Sequence, residues 1–151
     1  MIREILVYEK DKEILTQKSE KVTEINDDIK NLIQDLKDTL NSHDTGVGIS
    51  AIQIGVPKRV CIVKCAGQIY TLINPYITKK TGGLIFKEGC LSAPNKSKNV
   101  RRAQKVWCNY TDENGNHKQL AKGGLCSVII QHELDHFNGW CEVFSTYEEK
   151  K

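Results

Sequence analysis

The sequence is poor in methionine and proline: it has one methionine and three prolines among 151 residues. It also has no stretch that approaches the ~20 apolar residues of a membrane-spanning helix, and its first residues lack the long apolar run of a secretion signal. Repeats, linkers and low-complexity segments are absent. We therefore expect one domain over residues 1–151, with a short C-terminal tail from about residue 140, and no membrane partner.

Charge and cysteine content narrow the class further. A net charge of +3 is mild and does not indicate a nucleic-acid partner, so we expect no binding to DNA. Hydrophobic content of 39% and charged content of 27% are those of an ordinary globular protein. The six cysteines have the even count that three disulfides would need. Without a secretion segment, we interpret them as reduced, intracellular and mostly buried.

Two helices are predicted from apolar periodicity. Ile25 to Leu40 carry one apolar stripe, which predicts an amphipathic helix capped by Thr23 and ending near Asn41. A second helix is predicted after Gly123-Gly124 and ends at Asn138-Gly139. Residues 11–22 are interpreted as loop.

Turn residues predict two hairpins. One bends at Ala66-Gly67, between residues 59–64 and 68–74, and Pro75 is expected to end its second strand. The other bends at Asn114-Gly115, the strongest short turn signal in the chain.

The second predicted helix contains His132-Glu133-Leu134-Asp135-His136. Residues four apart lie on one face of a helix, so His132 and His136 can reach one metal ion. Glu133 borders the same ion without having to bind it. This arrangement is typical of a metal-activated water with a carboxylate base. Because a catalytic metal usually takes three protein ligands, a third ligand has to be found.

Three interpretations remain open on the residues alone. A zinc metalloprotease would take Glu142 as a downstream ligand, but the methionine turn beneath such sites is impossible when Met1 is the only methionine. An upstream ligand is available in Cys90, whose thiolate could face a packed helix. In the third interpretation there is no catalytic metal, and the basic stretch Lys96 to Lys105 binds RNA.

Three blocks then appear in order: Gly46 to Gln53, Glu88-Gly89-Cys90-Leu91-Ser92, and His132 to His136. They resemble the motifs GxGxAAxQ, EGCLS and HExDH of the peptide deformylases, with Ser50 where that family usually has alanine. The resemblance implies an α+β fold with antiparallel β-sheets around a central metal-binding helix and an N-terminal helix packed outside. It also implies a hydrolase that removes formate from the N-terminal formyl-methionine of nascent polypeptides.

The resemblance further implies that Cys90, His132 and His136 hold one divalent metal ion. Fe²⁺ is expected to be the native ion, with Zn²⁺, Ni²⁺ or Co²⁺ able to replace it.

Roles for three catalytic residues follow from the same resemblance. Glu133 takes the proton of the attacking water and passes it to the leaving amine. The side-chain amide of Gln53 and the backbone N–H of Leu91 stabilise the oxyanion.

Substrate contacts are also implied. Backbone groups of Val47, Gly48 and Gly89 are expected to pair with the formyl-methionyl peptide as an added strand. The candidates for the methionine side-chain pocket are Phe86, Leu125, Val128 and Ile129.

The resemblance also bears on the support of the groove and on partners. Glu88 is expected to pair with Arg102 and brace the groove. An arginine that family members often place near position 97 is replaced by Ser97. Many members continue into a long C-terminal helix that docks on the ribosome, which this chain lacks, so we expect weak docking or a different docking surface. The expected location is the cytoplasm of a bacterium or of a phage-infected host, with an organelle as the alternative.

Overall fold

A five-stranded antiparallel sheet and a separate two-stranded sheet pack around one buried helix in the computed structural model, which describes residues 1–148. The strand orders are β1-β2-β3-β6-β7 and β4-β5, so the predicted α+β fold is confirmed. The helices are α1 (Tyr8–Leu15), α2 (Asp27–Asn41), α3 (Gly124–Phe137) and α4 (Ser145–Glu148), with 3₁₀ turns at Ala51–Ile54 and Glu142–Phe144. The strands are β1 (Gly48–Ser50), β2 (Val60–Cys65), β3 (Gln68–Thr81), β4 (Leu84–Cys90), β5 (Ala93–Arg102), β6 (Lys105–Thr111) and β7 (His117–Gly123).

The central helix, α3, is buried along most of its length, from Cys126 to Glu133 and again at His136 and Phe137. A helix that is apolar around most of its circumference is typical of a core position. It ends at Gly139, whose φ is 77°, and a side chain there would overlap the carbonyl of Thr16. Glycine at this position therefore allows the chain to turn back beneath the helix.

The predicted amphipathic helix is α2, and its cap differs from the prediction. Asn26, not Thr23, is the N-cap, and its side-chain oxygen accepts a hydrogen bond of 3.0 Å from the Ile29 N–H. Its buried face meets β2 and the 3₁₀ turn that follows β1 through Ile29, Leu32, Ile33, Leu36 and Leu40.

Both predicted hairpins are present. Ala66 and Gly67 adopt φ angles of 52° and 75° between β2 and β3, as a tight two-residue turn requires. Gly115, with φ 84°, bends the chain between β6 and β7. The prediction that Pro75 ends a strand is wrong. β3 continues to Thr81 because a register shift between Ile73 and Tyr76 removes the ladder position that proline cannot fill.

The prediction of loop over residues 11–22 is wrong for its first part, because α1 is helical from Tyr8 to Leu15. This helix is mostly polar and has a non-helical kink at Asp11, so it lacks the periodic stripe that sequence patterns detect. Tertiary contact holds it instead: the rings of Tyr8 and Phe144 stack with centroids 4.2 Å apart.

The segment after α3 packs rather than extending as a tail. Cys141, Val143 and Phe144 are fully buried, and they form a small core with Tyr8 and Leu15. The expected frayed end, residues 149–151, lies outside the described residues.

One expectation about the cysteines is corrected: Cys65 and Cys126 form a disulfide, with their Cα atoms 5.6 Å apart. The pairing depends on α3 lying across β2, because Cys65 ends that strand and Cys126 lies in the first turn of the helix. No spacing in the sequence carries this information. The other four cysteines are free.

The membrane expectation concerns helices. None of the helices among residues 1–148 is both long enough and apolar enough to cross a bilayer.

Candidate active site

Two histidines of α3 meet two cysteines from other parts of the chain. The ligand atoms of Cys90, His132, His136 and Cys141 all lie within 4.8 Å of one another. Cys90 Sγ is 3.5 Å from His136 Nε2, and Cys141 Sγ is 3.8 Å from His132 Nε2. Two imidazoles and two thiols, mostly buried, make a donor set that suits a borderline divalent metal such as Zn²⁺ or Fe²⁺.

Sequence reasoning missed Cys141. It was counted among the core cysteines because it lies outside the three motif blocks. The signal that could have found it is its place two residues after Gly139, since a tight turn there returns the chain toward His132 and His136. In the metal-free cluster, a hydrogen bond from Cys90 lowers the pKa of Cys141 against the opposing effect of burial, and both imidazoles add to it. The same bond, with burial, raises the pKa of Cys90.

A chain of buried ionic contacts orients His132. Its Nδ1 lies 2.8 Å from Glu88 Oε1, which leaves Nε2 to face the cluster. Arg102 donates to both oxygens of Glu88, at 2.6 Å and 2.9 Å, and to Asp135 at 2.8 Å. Burial alone would raise the pKa of Glu88, but the hydrogen bonds from Arg102 and His132 lower it. Such partners fix the ring orientation of a metal-binding histidine.

The second histidine is held differently. His136 is fully buried, and among the described residues its Nδ1 has no hydrogen-bond partner. Its ring packs edge-on against His132, with centroids 5.2 Å apart, and against Phe144, at 5.8 Å. Packing, rather than a polar partner, therefore sets the orientation of this imidazole.

Glu133 is buried beside the cluster and is held from β1. The Ser50 hydroxyl lies 3.0 Å from Glu133 Oε1 and 3.0 Å from its backbone carbonyl. A Cβ atom on Gly48 would come within 2.5 Å of Glu133 Oε2, so this glycine makes room for the carboxylate. Burial raises the pKa of Glu133, while both histidines and the Ser50 hydroxyl oppose the shift. A carboxylate whose pKa is raised toward neutrality is suited to proton transfer.

Gln53 lies on the 3₁₀ turn after β1 and is also buried. Its Oε1 accepts a hydrogen bond of 2.9 Å from the Ser50 N–H, which aims the amide nitrogen away from β1. That nitrogen donates to Ser92 Oγ at 3.1 Å and lies 3.6 Å from Cys90 Sγ. The amide is thereby fixed beside Leu91, at the inner end of the cleft.

A cleft of about 630 Å³ opens onto the cluster. It runs between β1 and β4, each of which pairs with a single neighbouring strand. Both strands therefore present a free edge. Among the lining residues are all those with proposed substrate contacts: Val47, Gly48, Gly89, Phe86, Leu125, Val128 and Ile129. His43 and Lys96 also line it and were not predicted.

The residues behind the two alternative interpretations are engaged elsewhere. Glu142 lies outside the cluster: its Oε2 accepts a hydrogen bond of 3.0 Å from Trp140, and its Oε1 lies 3.8 Å from Lys98. In the basic stretch, Arg102 is buried against Glu88, and the Lys96 ammonium lies 5.2 Å from the ring centroid of Tyr147. Neither a downstream glutamate ligand nor a continuous free basic patch is therefore favoured.

The fold and the cluster define an α+β protein with a candidate metal centre on a buried HExxH helix. A family model described as polypeptide deformylase matches residues 2–148. The chain belongs to the polypeptide deformylase family, whose members are metal-dependent.

Individual relatives agree with this assignment. The peptide deformylase of Aquifex aeolicus is 41% identical over 145 residues, covering 92% of this chain and 84% of the relative. Among solved structures, the peptide deformylase of Synechococcus elongatus in complex with actinonin has a TM-score of 0.86 and 33% identity, covering 92% and 75% of the two chains. The enzyme of Legionella pneumophila has a TM-score of 0.87 and 29% identity, covering 98% and 96%.

Proposed function

We propose that this protein removes the formyl group from the N-terminal formyl-methionine of nascent polypeptides. One observation carries the proposal: the carboxylate of Glu133 and the amide of Gln53 converge with Cys90, His132 and His136 at the inner end of one cleft. A base, an oxyanion donor and a metal centre are the groups that hydrolysis of an amide needs.

The candidate ligands are Cys90, His132 and His136, and we propose Fe²⁺ as the native ion, replaceable by Zn²⁺, Ni²⁺ or Co²⁺. When bound, such an ion supplies Lewis-acid polarisation and brings the pKa of water from about 15.7 toward neutrality. The thiolate of Cys90 favours borderline metals.

Glu133 accepts the proton of the attacking water and delivers it to the amine that leaves. Its raised pKa, caused by burial, supports this role because the proton must be both taken and given back. The Ser50 hydroxyl holds one carboxylate oxygen, which leaves the other for the water.

The oxyanion formed on the formyl carbon is stabilised by the Gln53 amide N–H and the Leu91 backbone N–H. The buried capping contact from Ser50 keeps the amide in one orientation before substrate arrives, so no reorganisation is needed during the reaction.

The peptide lies between the free edges of β1 and β4. The Val47 carbonyl already accepts a hydrogen bond of 2.8 Å from the Lys64 N–H, so this residue has its N–H to offer to substrate. Gly48 and Gly89 supply the remaining backbone contacts. The methionine side chain occupies the part of the cleft lined by Phe86, Leu125, Val128 and Ile129.

The partners are formyl-methionyl nascent chains, with the ribosome that produces them close by. The protein acts where formylated chains are made: in the cytoplasm of a bacterium or a phage-infected host, or in an organelle.

The activity is tested by measuring formate release from a formyl-Met peptide under anaerobic conditions with Fe²⁺, Ni²⁺ or Zn²⁺. We expect stoichiometric formate and an intact peptide with a free amine. Cleavage of an internal peptide bond without formate release would overturn the proposal and favour a protease.

The ligand set is tested by metal content after dialysis. We expect Cys90→Ala to lose metal and the matched variant Glu142→Ala to keep it. The reverse pattern would identify Glu142 as the ligand.

A further inference from the structure

We infer that Cys141 is a fourth protein ligand, so that the divalent ion is held by two sulfurs and two imidazole nitrogens. The inference rests on the metal site proposed above and adds to it a residue from beyond the central helix. The metals such a set takes are borderline ions such as Zn²⁺, Co²⁺ and Fe²⁺.

The distances fit one ion. With metal–sulfur bonds near 2.3 Å and metal–nitrogen bonds near 2.0–2.1 Å, a tetrahedral site has sulfur-to-nitrogen edges of about 3.6 Å. The two contacts across the cluster are 3.5 Å, from Cys90 to His136, and 3.8 Å, from Cys141 to His132. Each sulfur faces an imidazole nitrogen, and all four atoms stay within 4.8 Å of one another.

The position of Cys141 leaves the cleft free. Cys90, His132 and Glu133 line the cleft, whereas Cys141 and His136 are fully buried behind them. A sulfur that approaches from behind does not compete for the cleft-facing position that water and substrate need. Zinc sites can expand to five ligands during a reaction, so a fourth protein donor is compatible with hydrolysis.

Packing holds the thiol in place without any rearrangement. The turn at Gly139 returns the chain beneath α3, and the Trp140 N–H donates to the Asp135 carbonyl at 3.2 Å. Val143 and Phe144, just after Cys141, are fully buried.

The remaining free thiols behave differently. Cys61 and Cys108 are buried, and in the described part of the chain neither belongs to a group that could hold a metal. The only hydrogen-bond contact found for the Cys108 thiol is to the Asn109 carbonyl, at 3.8 Å. Ordinary core burial therefore does not bring a thiol to an imidazole here, and Cys108 is a matched control.

The deciding measurement is X-ray absorption on the Zn²⁺-loaded, reduced protein. We expect two sulfur and two nitrogen neighbours of zinc in the parent and one sulfur in Cys141→Ala. One sulfur in the parent overturns the inference without recourse to any variant. Two sulfurs in both parent and variant also overturn it, because the second sulfur would then come from elsewhere.

Metal retention gives an independent readout. In competition with a chelator, Cys141→Ala should bind Zn²⁺ at least about tenfold more weakly than the parent, while Cys108→Ala should match it. Equal affinity in Cys141→Ala overturns the inference. Circular dichroism of each variant confirms that a folded protein is compared. Neither readout uses formate release, so a failure of the proposed activity would remain distinguishable from a failure of this ligand.

Discussion

The candidate metal centre has two unlike sides. On the cleft side, Glu133 and Gln53 hold polar atoms by hydrogen bonds from β1 and keep donor or acceptor capacity for a substrate. On the buried side, His136 and Cys141 have no solvent exposure and are fixed by packing. The difference separates two tasks: the cleft side can exchange water and protons, while the buried side can retain an ion. Substitutions on the two sides should therefore change different measured quantities.

The largest effect is expected on the cleft side, from Glu133→Gln. The amide keeps the shape of the side chain but cannot accept the proton of water, so kcat should fall about 10²–10⁴-fold. Metal content, measured on the same sample, should not change. The control is Glu142→Gln, which should keep full activity. Loss of metal in parallel with activity would erase the distinction between the two sides.

Gln53→Met should lower kcat by about 10²–10³-fold, because it removes a fixed oxyanion donor while preserving length. Formate release at saturating metal and substrate measures this. Gln34, an exposed residue whose amide donates to Asp38 at 2.8 Å, provides the matched Gln34→Met variant, which should be silent. A rise in KM with unchanged kcat would instead assign Gln53 to substrate binding.

Glu88→Gln tests what supports His132. Replacing the carboxylate weakens the hold on the imidazole and on Arg102, so metal affinity should fall about 10–100-fold while activity returns at saturating metal. Glu113→Gln is the control, because Glu113 accepts a hydrogen bond of 2.7 Å from Lys37 far from the cluster. Activity that stays low at saturating metal would place Glu88 on the catalytic rather than the retaining side.

The smallest effect is expected from Ser50→Ala, which installs the residue usual in the family. One hydrogen bond contributes about 0.5–1.5 kcal/mol, so the rate should change by about tenfold or less. Because the Ser50 hydroxyl lowers the pKa of Glu133, its loss should raise that pKa further. The acid limb of the kcat/KM profile should therefore move to higher pH. A move to lower pH would mean that another group controls the acid limb.

Local signals account for the parts of the fold that were predicted. The hairpin turns depend on residues that tolerate positive φ, such as Gly67 and Gly115, and α2 depends on an apolar stripe. By contrast, α1 and the continuation of β3 past Pro75 depend on tertiary contacts and a register shift, which leave no periodic trace.

The same division applies to the site. The HExxH spacing is local, so His132 and His136 can be placed on one face of a helix from sequence alone. Cys141 and the Cys65–Cys126 disulfide depend on how the chain returns beneath α3 and how α3 crosses β2. The hydroxyl contact from Ser50 to Glu133 likewise joins residues 83 positions apart.

The cleft lies between the edges of two sheets that share no ladder, and α3 touches both. Glu133 and Ile129 would contact any side chain at Gly48 on one edge, and His132 bonds to Glu88 on the other. A strand that pairs with both edges needs them about twice 4.8 Å apart. The helix therefore acts as a spacer bar whose side chains set the gauge of the channel. Enlarging Ile129 would widen or block the channel for every peptide alike, whatever residue follows the first.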